Sequence, residues 1–193
     1  MRLARASDVP RIARLSPVHR DHVRAILTAT DAFSEDEIGV ALELFDLAQT
    51  SSAATSAATF DGSTSRGADD ALEDYEFVGA FDGDVLLGFA CFGPTPSTDG
   101  TYDLYWLAVD PAAQGRGAGR AIADWVVMEL GSRGARLLLA ETSSRIEYES
   151  ARAFYARNGY AEVARVRDFY APDDDRILLT TRLTAQERGA ATQ

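Results

Sequence analysis

A chain of 193 residues is of one-domain size, and 46% apolar with 25% charged residues is the composition of a folded protein. One cysteine and two histidines leave no material for a disulfide framework, a multi-cysteine zinc site or a histidine-dependent hydrolase. The net charge of −11, from 30 acidic against 19 basic residues, disfavours nucleic acid as a partner.

No apolar run approaches the roughly 20 residues that cross a bilayer. Met1–Arg5 lacks the uninterrupted apolar stretch of a secretion signal, so a cytoplasmic location with no membrane contact is expected. Every basic residue is arginine. Codon usage in a GC-rich genome and adaptation to high salt both explain that, and neither points to a function.

In chain order, an edge strand is expected near Arg11–Leu15 and a helix over His19–Thr30 with Val23, Ile26 and Leu27 on one side. Ser34 followed by Glu37 has capping-box spacing, and Ile38, Leu42 and Phe45 form the apolar stripe of a second helix. Residues 50–70 are small and polar with no period, and read as a mobile loop. Strands are then expected over Tyr75–Phe81 and Val85–Phe92, joined by the hairpin signal Asp82-Gly83-Asp84, with a third over Tyr102–Val109.

A glycine-rich turn, Gln114–Gly119, leads into a helix with Ile122, Trp125, Val126 and Leu130 on its buried face. A strand over Arg136–Thr142, a helix over Glu147–Asn158 and two strands separated by Ala171–Asp175 complete the pattern. Residues 184–193 read as a flexible tail. The whole is a single α+β domain over residues 1–193.

The chemistry starts at Gln114-Gly115-Arg116-Gly117-Ala118-Gly119-Arg120. Glycines remove Cβ atoms where amide N–H groups would face a ligand, the helix adds its positive end, and Arg116 and Arg120 add charge. Such a turn suits a pyrophosphate; a purely structural turn is the plain alternative. The dinucleotide fingerprint G-x-G-x-x-G fails, because its third glycine would fall on Arg120 or Ile122. A Walker loop fails for want of lysine.

What fits is Q-x-x-G-x-G after a strand ending Leu107-Ala108-Val109, and here the chain resembles the GNAT superfamily of N-acetyltransferases. Glu147–Tyr160 (EYESARAFYARNGY) resembles that family's second cofactor segment, and the similarity spans Leu15–Leu183. The strings TYDLYWLAV, ETSS (Glu141–Ser144) and DFYAPDDD (Asp168–Asp175) resemble a bacterial and archaeal subgroup of undefined substrate. The chain departs from the family at Tyr148, where many relatives carry Asn, and at Asp173, where the acidic turn usually has Gly. Asp tolerates a left-handed backbone better than most residues.

The resemblance implies a central, mixed and mostly antiparallel, splayed sheet flanked by about four helices. It implies acetyl-CoA as co-substrate, no metal, and a small-molecule or peptide amine as acceptor, acetylated by direct attack in a ternary complex. The backbone of Leu107, Ala108 and Val109 would take the pantetheine arm, and Gln114, Gly115, Arg116, Gly117, Ala118, Gly119 and Arg120 the diphosphate. Tyr155 stands where the family keeps its general acid; packing beside Phe154 is the alternative. The base stays open between Glu141 and Asp103, against a water chain or an amine arriving neutral. His19 and His22 read as exposed or half-buried, Cys91 as a small core residue, and Asp173–Asp175 as a hydrated turn. A homodimer through the last strands is an open expectation. The rival class is a non-catalytic acyl-CoA-binding sensor or structural module of the same fold.

Overall fold

The computed structural model describes residues 9–57 and 75–183. Its elements are β1 (Arg11–Arg14), α1 (Arg20–Thr30), α2 (Glu35–Ala57), β2 (Glu76–Asp82), β3 (Val85–Pro94), β4 (Thr101–Val109), α3 (Ala118–Ser132), β5 (Leu137–Ser143), α4 (Glu149–Arg157), β6 (Ala161–Ala171) and β7 (Asp174–Arg182). The strands form a seven-stranded mixed sheet in the order β1-β2-β3-β4-β5-β7-β6. Among the described residues this is the expected α+β arrangement of a mixed sheet with four α-helices. No helix among them is long and apolar enough to cross a membrane.

By contacts the chain divides into two compact units. The first takes the chain up to Phe92 together with Trp106–Ala123. Its α2 starts where the capping box predicts: the Ser34 N–H donates to Glu37 Oε2 at 2.8 Å, and the Glu37 N–H to Ser34 Oγ at 3.3 Å. The apolar stripes of α1 and α2 are buried with Phe77, Phe81 and Phe89, and Phe45 meets Phe77 edge-on at 5.0 Å. The hairpin turn is two residues long, with Asp82 opposite Val85 and Gly83 at φ 60°. Gly88 lets β4 come close: a Cβ there would stand 2.7 Å from the Ala108 carbonyl oxygen. The Asp110 N–H closes that approach on the Leu87 carbonyl at 2.9 Å.

The second unit takes Gly93–Tyr105 and the chain from Asp124 onward. Here β4 and β5 run parallel from Thr101↔Leu137 to Leu104↔Ala140. β7 pairs antiparallel with β5 on one side and with β6 on the other. β6 is the sheet edge and is exposed along its whole length. Its ladder with β7 slips twice, between Glu162 and Ala164 and between Val166 and Ala171, the bulging by which edges resist further pairing.

Two expectations change. The loop expected from residue 50 does not begin there, because α2 continues through Ala57. Alanines at 53, 54 and 57 and the absence of proline let a well-capped helix propagate without an apolar stripe to advertise it. The rest of that stretch, and the tail over 184–193, lie outside the described residues. The acidic turn is also shorter than expected: Pro172 and Asp173 alone join β6 to β7, with Asp173 at φ 64°, the conformation glycine would otherwise supply.

Candidate active site

In the first unit, Pro111–Ala113 makes one tight turn after β4, capped by Asp110, whose carboxylate accepts from the Ala112 N–H at 2.8 Å. Gly115 and Gly117 follow at φ 76° and 80°. An added Cβ at either would meet nothing within 4 Å, so the requirement is backbone conformation and the space before the amides stays open. Ala118, Gly119 and Arg120 form the first turn of α3, whose opening backbone bond is Ala121 N–H to the Gly117 carbonyl at 2.9 Å. The amides before it have no intrahelical acceptor and lie at the positive end of a 15-residue helix. That open, left-handed cradle fits a diphosphate.

Arg116 does not face that cradle alone. Its guanidinium pairs with Asp82 of the β2–β3 turn. The pair borders a hollow of about 540 Å³ lined by Arg11, Phe81, Gly83, Leu87 and Gly115 among others.

At Leu107–Val109 the β4 strand has outrun its partner: the last β4–β5 pair is Leu104↔Ala140, five residues before Val109. A strand edge released from its ladder offers N–H and C=O groups to an amide-bearing chain. Ala108 is buried, and Leu107 and Val109 are half-buried, so their side chains are mainly packing.

In the second unit, Tyr155 is 8% exposed on α4, with Phe154 edge-on at 5.7 Å and Tyr160 at 5.1 Å. Burial pushes its phenol well above the ordinary range, so it remains a neutral donor at any working pH. The neighbouring Tyr160 phenol is raised for the same reason first, and its hydroxyl is buried without a partner among the described residues.

The two candidate bases share one face of the sheet. Asp103 is opposite Leu139, and Glu141 lies two residues further along β5. Their surroundings differ. Asp103 accepts from Thr95 Oγ1 at 2.7 Å, which ties it into the β3–β4 connection. Glu141 accepts from the Tyr170 hydroxyl at 2.5 Å and pairs with Arg176. Arg176 also lies over the Phe169 ring, 4.9 Å from its centroid.

The strings ETSS and DFYAPDDD are therefore each other's partners. Ser143 donates its hydroxyl to Asp174, and Ser144 Oγ accepts from the Asp175 N–H at 2.8 Å. The hydrated turn expected at Asp173–Asp175 is corrected in part: Asp174 is buried, and Asp175 accepts from Arg165 at 3.0 Å. Tyr170 and Arg176 went unseen in the sequence, because nothing local marks a contact between strands 29 and 35 residues away from Glu141. Two polar-rich strings, each at a strand end, were the available signal.

Other groups serve the structure. The His19 Nδ1 lies 3.0 Å from the Ser16 N–H, closing the first helical turn. Cys91 is fully buried and its thiol is pushed well up by burial, as its core reading implies. Tyr105 is exposed, whereas Trp106 packs against the first unit's core, the alternation expected of a strand. Among the described residues no group of three or more potential metal ligands comes together.

A sequence model of the acetyltransferase (GNAT) domain matches residues 73–162. A solved GNAT-family protein from Desulfovibrio desulfuricans is 36% identical, with TM-score 0.77 over 90% of this chain and 99% of that one. A Salmonella typhimurium protein solved with acetyl-CoA shares the fold at TM-score 0.64, with 16% identity over 95% of this chain and 99% of its own. Mycothiol acetyltransferase from Beutenbergia cavernae is 39% identical over 83 residues, which is 43% of this chain and only 27% of that protein.

Proposed function

Because the chain belongs to the GNAT family of acetyl-CoA-dependent acyltransferases, we propose that it transfers an acetyl group to a primary amine of a small molecule, amino acid or peptide. The transfer runs by direct attack with both substrates bound. Acetyl-CoA supplies the activated acyl group; the chain supplies grip and proton transfer. The carrying observation is the pair of left-handed glycines, Gly115 and Gly117, opening onto the first turn of α3.

In this reading the amides from Gly115 to Arg120 hold the diphosphate and the free edge at Leu107–Val109 holds the amide-bearing arm. Tyr155 acts at the sulfur. A phenol raised by burial is a poor source of a whole proton but a persistent hydrogen-bond donor, so it stabilises the departing thiolate, which ends as the thiol by taking up the proton that the amine gives to the base, so that the base is restored. Glu141 is preferred to Asp103 as the group that takes the amine proton. It follows the last β4–β5 pair, whereas Asp103 lies inside the paired stretch.

Calorimetry with coenzyme A at two ionic strengths, followed by thiol release from acetyl-CoA over polyamines, free amino acids and short peptides with free N-termini, tests this. Heat on binding and release with at least one amine are expected. Binding without release on any amine leaves a cofactor-binding module; no binding removes the assignment.

A further inference from the structure

Tyr170 is on β6 and Glu141 on β5, yet β7 lies between those strands in the sheet. Two strand spacings amount to about 9.6 Å, so a regular β6 would not present a hydroxyl to β5. The bulge does. After Val166↔Arg176 the next pair is Ala171↔Asp174, so residues 167–170 stand against Asp175 alone. This excursion is braced. Asp168 takes the left-handed φ of 50°, its N–H donates to Asp175 Oδ1 at 3.1 Å, and its carboxylate accepts from the Asp173 N–H at 2.8 Å. Phe169 then meets Tyr170 edge-on at 4.9 Å and stacks beneath Arg176.

The result is that each oxygen of Glu141 has its own donor. Oε1 takes the Tyr170 hydroxyl and Oε2 the Arg176 guanidinium, from β6 and β7 respectively. Two donors at fixed positions stop rotation of a carboxylate that would otherwise be free to turn at a strand end.

We propose that Tyr170 is a positioning residue for the transfer reaction, carried over β7 by the β6 bulge to fix the Glu141 carboxylate in one orientation. The proposal rests on Glu141 as the base. The Tyr170 phenol is raised first by burial and next by its bond to Glu141, so it remains the donor throughout the assay range.

The test is a double-mutant cycle with acetyl-CoA and the most active amine of the panel above, together with phenol titration by ultraviolet absorbance. Y170F is expected to lower kcat about tenfold while leaving the KM for acetyl-CoA within about twofold. E141Q should lower kcat further, and adding Y170F to it should cost nothing more, since one residue acts through the other. In E141Q the Tyr170 phenol, identified by its loss in Y170F, should ionise at lower pH than in the parent. Equal losses from Y170F in both backgrounds would overturn the positioning role. So would full kcat in Y170F beside a crippled E141Q, an outcome that leaves the Glu141 reading intact. Undiminished turnover in E141Q would remove both.

Discussion

Ser143, the last residue of β5, donates its hydroxyl to Asp174, the first residue of β7, and both side chains are buried. The same oxygen of Ser143 accepts from the Arg145 N–H at 3.0 Å, and Arg152 donates to the Ser143 carbonyl at 2.7 Å. One serine thus joins a strand end, the following turn, α4 and the β6–β7 hairpin. The hairpin that carries Phe169 and Tyr170 is held by a buried hydrogen bond to a carboxylate as well as by the ion pairs of Arg165 and Arg176.

Replacing Ser143 by Ala should therefore be felt. A buried carboxylate left without its donor costs about 1–3 kcal/mol, and in a domain of this size that lowers the melting temperature by a few degrees. Arg165→Ala, which removes the exposed pairs with Glu162 and Asp175, should move it much less. Thermal melts of the two variants side by side check this; equal shifts would contradict it.

Gly117→Ala separates conformation from packing. The added Cβ meets no protein atom, so the damage is confined to forcing an L-residue to φ 80° and to crowding the cradle's open side. A loss of tenfold or more in coenzyme A affinity is expected from the ligand clash, while about 1–2 kcal/mol of backbone strain lowers the melting temperature by a few degrees. Gly134→Ala, at φ 82° where an added Cβ likewise meets nothing, should lower the melting temperature similarly and leave the affinity alone.

Much of this was legible in the sequence for physical reasons that can be named. The capping box at Ser34, the Asp82–Asp84 hairpin and the apolar runs of β2 and β3 are local signals, and local signals survive folding. The glycine cradle was legible because φ above zero leaves few residues to choose from. Partnership over Glu141, Tyr170 and Arg176 was not, since a bulge reshapes which residues of a strand meet. Arg116 was expected to add charge at the loop; that Asp82 engages it depends on where a hairpin 34 residues earlier comes to lie.

That pairing makes a salt-dependent prediction. Asp82 places a carboxylate on the guanidinium of the glycine loop, so Asp82→Asn frees Arg116 and removes a repulsive charge near an anion site. Coenzyme A should bind about two- to fivefold tighter at low salt, in keeping with an exposed pair. The gain should fade at about 0.5 M salt, where exposed charges are screened. Calorimetric titrations at both salt levels check it; weaker binding at low salt would mean that Asp82 instead shapes the loop.

Alkaline pH offers a last test of the buried phenols. Tyr155 and Tyr160 are both raised by burial, so in the folded chain they hold their protons where the unfolded chain's phenols, near pH 10, give theirs up. Below about pH 10 both states are protonated and the folded state keeps its full advantage. Above it the unfolded state gains by ionising while the folded state does not, and stability falls with rising pH. Urea midpoints should therefore hold to about pH 9.5 and drop from there to about pH 12, and Tyr155→Phe should flatten that drop by removing one of the raised phenols, which include Tyr170. The same variant keeps the ring packed against Tyr160 while losing the hydroxyl, so turnover should fall about a hundredfold with affinity for coenzyme A preserved. A Tyr155→Phe protein with the parent's alkaline slope would mean the phenol is not buried in solution. One with the parent's turnover would take it out of the chemistry.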